Sequence, residues 1–89
     1  MPRVVITHAV EDIDRWLHGN AERAAAIESG TGSKVTDYVA ADGSNNVAIT
    51  TDVSDPAALQ GMLASPPPEV LAAMQDHGVV QPITAYVER

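Results

Sequence analysis

Four runs of apolar residues at period two and two stretches at helical period follow one another in this chain. Their order is strand, helix, strand, strand, helix, strand. A chain of 89 residues holds one core, and this order leaves few ways to close it. Short un-knotted connections favour the split βαβ arrangement.

The first run, Arg3 to Val10, is rich in β-branched residues and predicts a strand. Val4, Ile6, His8 and Val10 share one face, and Val5, Thr7 and Ala9 the other. Both faces are largely apolar, so the strand is expected to be covered on both sides. Asp12 can cap a helix reaching about Ser29, with Ile13, Trp16, Leu17, Asn20, Ala24 and Ile27 along one stripe. Gly30 and Gly32 end it. Lys34 to Ala41 and Val47 to Val53 predict two strands joined through the turn cluster Asp42 to Asn46, an antiparallel hairpin.

Asp55-Pro56 is the clearest helix start, a cap followed by proline at the first helical position. Leu59, Met62 and Leu63 supply its apolar side, and Pro66-Pro67-Pro68 breaks it. A second helical piece runs from about Pro67 to His77, stopped by Gly78. Ile83 to Glu88 predicts the last strand. The expected product is an α+β, ferredoxin-like βαββαβ domain spanning 1–89. It is a four-stranded antiparallel sheet with two helices on one face. The other sheet face keeps apolar residues, so it needs a partner, and a second copy of the chain is the simplest one.

Charge and composition exclude several functions. Twelve acidic residues against five basic ones give a net charge of -7. Nucleic acid needs a basic face, and anionic membrane surfaces repel this one. No segment approaches the ~20 apolar residues of a membrane span, and nothing resembles a signal peptide. A cytoplasmic location is expected. The chain has no cysteine, which removes disulfides, thiolate metal sites and a metallochaperone Cys-x-x-Cys motif. His8, His18 and His77 show neither i,i+4 nor His-x-His spacing, so no metal site is expected. The strands lack the basic and aromatic residues of an RNA-recognition domain. The segment Val10 to Asp14 lacks the glycine of an amino-acid sensor loop.

Thr7-His8-Ala9-Val10, then Asp12, Asp14, Arg15 and Trp16, then Ser65-Pro66, Ala73-Met74 and Gly78-Val79-Val80 carry a resemblance that spans nearly the whole chain. The sequence resembles the dimeric α/β-barrel superfamily of antibiotic-biosynthesis monooxygenases, polyketide cyclases, muconolactone isomerases and haem-degrading enzymes. It looks most like their bacterial cyclase-like members. The resemblance implies a homodimer in which two sheets face each other to form a barrel. It also implies chemistry on a small organic molecule. The departures are that His8 stands where an Asn is usual and that the single Trp lies on the first helix. Phe is absent and aromatics make up 3% of the chain, which argues against stacking a flat aromatic substrate.

His8 interrupts an apolar strand where such pockets open, and its side chain titrates near neutrality, as a general base must. The bland alternative is a buried neutral histidine bonded to a neighbour. Tyr38 and Tyr86 could donate to a developing oxyanion, or could be strand residues with wet hydroxyls. Trp16 could wall a pocket, or be core. Asp52, in a strand where Asp is disfavoured, could be a pocket carboxylate, or be solvated near a strand end. Asp37 is equally out of place in a strand. His77 precedes Gly78 at a helix C-terminus, where the dipole favours a cation. Two functions are consistent with this set. One is a cofactor-independent cyclase, isomerase or monooxygenase acting on a small apolar substrate, with His8 as base and Tyr38 or Tyr86 as helper. The other is a non-enzymatic dimeric ligand-binding or interaction module.

Overall fold

The computed structural model describes residues 2–30 and 32–89. Its elements are β1 (Arg3–Val10), α1 (Ile13–His18), α2 (Asn20–Ser29), β2 (Gly32–Val39), β3 (Asn46–Val53), α3 (Pro56–Ala64), α4 (Pro68–Asp76) and β4 (Val79–Val87). The four strands form one antiparallel sheet in the order β2-β3-β1-β4. This is the ferredoxin-like α+β arrangement expected from the order of periodicities.

The helix expected from Asp12 to Ser29 is two helices. Asp12 caps α1, its Oδ1 accepting from the Arg15 amide at 3.0 Å. The break falls at Gly19, which is buried, and a Cβ there would lie 2.5 Å from Nε2 of His77. Only glycine lets the His77 ring approach so closely. Asp55 starts α3 in the expected way, accepting from the Ala58 amide at 3.1 Å with Pro56 next in line. The prolines then separate α3 from α4. Gly78 follows α4 with φ of 74°, a left-handed turn that favours glycine.

Two strand boundaries differ from expectation. β2 begins earlier, at Gly32, and carries a register shift between Ser33 and Thr36, where Lys34 takes φ of 55°. β4 begins at Val79 rather than Ile83. Val79 and Val80 pair with Val10 and Ala9, and pairing shifts before Thr84 meets Thr7. Pro82 falls inside this irregularity on an edge strand, the place where a missing amide donor costs the ladder nothing.

Alternation along the strands decides the core. Val4, Ile6 and Val10 of β1 join Val47, Ile49 and Val53 of β3 on the helix side, packed against Trp16 and Leu59. Each fully buried aliphatic side chain contributes about 1.5–3 kcal/mol. The opposite sheet face carries Val5, Thr7, Ala9, Ala48 and Thr50, all half-buried, with Tyr38 and Tyr86 exposed. No helix of the described residues is long and apolar enough to cross a membrane.

Candidate functional site

Between the helix-side sheet face and α2, α3 and α4 lies a cavity of about 490 Å³. Its walls are mostly apolar: Ile6, Ile49 and Ile83 from the sheet, Met62 and Leu63 from α3, Val70 and Met74 from α4. His8, Arg23 and His77 line it near the close of β1 together with Glu22, and Glu69 lines it from the first turn of α4.

His8 faces this cavity because it shares its parity with Ile6 and Val10. Its Nδ1 lies 2.8 Å from the Ala9 carbonyl oxygen. A carbonyl only accepts, so Nδ1 carries the ring proton and Nε2 presents a lone pair. Burial holds its pKa below the ordinary 6.5; the Ala9 carbonyl opposes that shift, and the Arg23 charge adds to it. The ring stands edge-on to Trp16, with centroids 6.1 Å apart and planes at 79°.

Trp16 is fully buried, and the Arg23 guanidinium carbon lies 4.0 Å from its ring centroid. Such a cation over an indole face contributes about 0.5–2 kcal/mol. Arg23 Nη1 donates to the Trp16 carbonyl at 3.1 Å, and Nη2 donates to Asp37 Oδ2 at 2.7 Å. Arg23 Nη1 also lies 3.4 Å from Nδ1 of His77. Guanidinium nitrogens only donate, so Nδ1 of His77 accepts and the ring's own proton sits on Nε2. Three polar atoms of this cluster, Trp16 Nε1, Arg23 Nε and Asp37 Oδ1, are buried without a protein partner. Among the described residues no three His, Cys, Asp or Glu side chains gather where they could hold a metal ion.

No family model matches the chain, and no curated protein matches it. Solved structures do. One, described as an antibiotic biosynthesis monooxygenase, superposes with a TM-score of 0.67 at 16% identity, over 100% of this chain and 97% of its own. A protein of Bordetella bronchiseptica provisionally assigned the same activity gives 0.71 at 7% identity, covering 99% of this chain and 94% of its own. Another, from Deinococcus radiodurans, gives 0.59 at 19% identity, covering 97% and 90%.

The chain has the fold of the antibiotic biosynthesis monooxygenases. The resemblance seen in the sequence therefore holds for the monooxygenase fold. Identities this low carry the fold alone, and the chemistry must be read from this chain's own residues.

Of the residues singled out in the sequence, His8 and Trp16 come together at the polar end of the cavity. Trp16 stands behind His8 and Arg23 and is not itself a wall residue. Tyr38 and Tyr86 are not brought to this cavity. They pair with Ala48 and Val5, and strand alternation turns them to the opposite face. There Tyr38 accepts a 3.3 Å hydrogen bond from Thr50. Asp52 also points to that face, where Arg3 contacts it at 3.1 Å and Lys34 at 3.9 Å.

Arg23, Asp37 and His77 belong to the cluster and were not proposed as site residues from the sequence. Two signals pointed to them. Arg23 lies seven residues after Trp16, on the same helical face, and Asp37 sits in the middle of a strand where an unpaired carboxylate is disfavoured. The local pattern at His77 points only to a helix-terminal cation, because its partners in the cluster lie 54 and more residues away.

Proposed function

We propose that this protein binds a small, mostly apolar organic molecule in the helix-side cavity. There His8 acts as general base in a cofactor-independent cyclase, isomerase or monooxygenase reaction. The observation that carries this reading is an apolar cavity that ends on a histidine with a free lone pair, backed by a paired Arg23–Asp37 unit. Apolar walls supply the binding free energy, and a few fixed polar groups orient the ligand. Burial keeps His8 neutral at pH 7 and so able to accept a proton.

The test is binding of an uncharged apolar fluorophore, N-phenyl-1-naphthylamine. Wild type should bind it saturably. Ala73→Phe, which places a ring among the α4 wall residues, should abolish binding while leaving the circular dichroism spectrum intact. Absence of binding by wild type, or equal binding by Ala73→Phe, would overturn the reading. If His8→Asn retains both binding and biological function, the protein is a ligand-binding module rather than an enzyme.

Assembly belongs to the same proposal. The face of Val5, Thr7, Ala9 and Ala48 is half-buried, and the described helices pack on the opposite face of the sheet. A homodimer that pairs two such faces would cover it, as the resemblance implies.

A further inference from the structure

Resting on the cavity reading above, we propose that His8 and His77 act as a pair of opposite tautomers on a carbon acid beside a carbonyl group. His8 is the base, and His77 is the hydrogen-bond donor to the oxygen.

The two rings are prepared oppositely by what holds their Nδ1 atoms. His8 Nδ1 donates to a carbonyl 2.8 Å away, which leaves Nε2 as a lone pair. His77 Nδ1 accepts from a guanidinium 3.4 Å away, which leaves Nε2 as an N–H. Among the described residues neither Nε2 has a protein hydrogen bond. Glu22 Oε2 lies 3.7 Å from His77 Nε2, too long for a hydrogen bond. Both residues line the one cavity, and they are linked through Trp16, which stands behind it, and Arg23, which also lines it. Gly19 leaves the room that His77 occupies.

His8 and His77 line the same largely apolar cavity, with the Glu22 carboxylate beside the second ring, and a lone pair on one and an N–H on the other fit a ligand that offers a C–H and a carbonyl oxygen. A neutral imidazole can polarise a carbonyl, as in triosephosphate isomerase, a general precedent for this role. The step balances without an oxidant. The His8 Nε2 lone pair takes the proton from the carbon next to the carbonyl. The C–H pair becomes a carbon–carbon π bond, and the carbonyl π pair moves onto oxygen. His77 Nε2–H holds that oxygen and keeps its own proton. Return of the proton from His8, to the same carbon or another along the enolate, completes an exchange or an isomerisation. The substrate class is therefore an apolar ketone or other enolisable carbonyl compound.

The experiment is exchange of the α-protons of 2-tetralone in D2O, followed by proton NMR, with binding measured independently by saturation-transfer NMR. Wild type should accelerate exchange saturably, and the fluorophore should inhibit it. His8→Gln should lower the rate about 100-fold or more. His77→Leu should lower it about 100-fold, whereas His77→Gln, which keeps an amide N–H, should recover most of it. That recovery separates a donor from a packing residue. Binding of the ketone with exchange at the buffer rate would overturn the pair and leave the cavity reading standing. So would exchange that is indifferent to His77→Leu in a folded variant. Failure of the ketone to bind would overturn both.

Discussion

Arg23 and Asp37 form a 2.7 Å ion pair in which both side chains are nearly buried, at 10% and 14% exposure. The pair spans α2 and β2 and fixes the guanidinium that touches Trp16 and His77. Burying two charges is offset only while both are present. Asp37→Leu and Arg23→Met are each expected to destabilise the protein by about 3–5 kcal/mol. The double substitution Arg23→Met with Asp37→Leu should cost far less than the sum. Urea denaturation of the four proteins measures the coupling, and simple additivity would show that the pair is solvated.

Gly19 packs on the His77 ring so closely that any side chain must displace it. Gly19→Ala is expected to cost about 1–3 kcal/mol by overpacking. Most of that loss should return in the background of His77→Ala. Thermal melts of the single and double variants test this, and a Gly19→Ala melt equal to wild type would mean that α2 can shift freely.

Burial depresses the pKa of His8, so between that value and the ordinary 6.5 the unfolded chain holds more protons than the folded one. Its contribution to stability is therefore complete above pH about 6.5 and falls as the pH drops toward the folded value. His8→Leu should flatten the stability profile between about pH 7.5 and 5 relative to wild type. Denaturation curves across that range would show parallel slopes if His8 were solvated instead.

The exposed sheet face should drive association. Ala48→Arg places a charge in the middle of that face, opposite Thr7 on β1 and Tyr38 on β2. Sedimentation velocity should show wild type at twice the chain mass and this variant as monomer. A monomeric wild type would remove the dimer from the functional picture.

The sequence revealed the fold and half of the site, and the division has a physical cause. Period-two and helical spacing are local, so His8, Trp16, the Asp55 cap and the hairpin were all legible. So was the parity that separates His8 from Thr7. What was not legible was set at long range. Gly19 lies within the helical pattern, and its role appears only when His77 arrives from far along the chain to pack on it. Asp37 reads as a misplaced strand residue until Arg23 reaches it from α2. Tyr38 and Tyr86 looked like helpers for His8 because phenols suit an oxyanion, but their parity with Ala48 and Val5 carries them to the other side of the sheet.

The three prolines leave α3 as a separate segment that offers the cavity only Ala58, Leu59, Met62 and Leu63, while His8, Arg23 and His77 are carried elsewhere. The α3 segment thus supplies apolar wall alone, whereas the stretches around His8, Arg23 and His77 supply both wall and polar groups. Mutations confined to residues 56–64 could resize the chamber while the histidines and their supports keep their places. A lineage built this way could change which molecules fit the chamber without altering the polar cluster beside them.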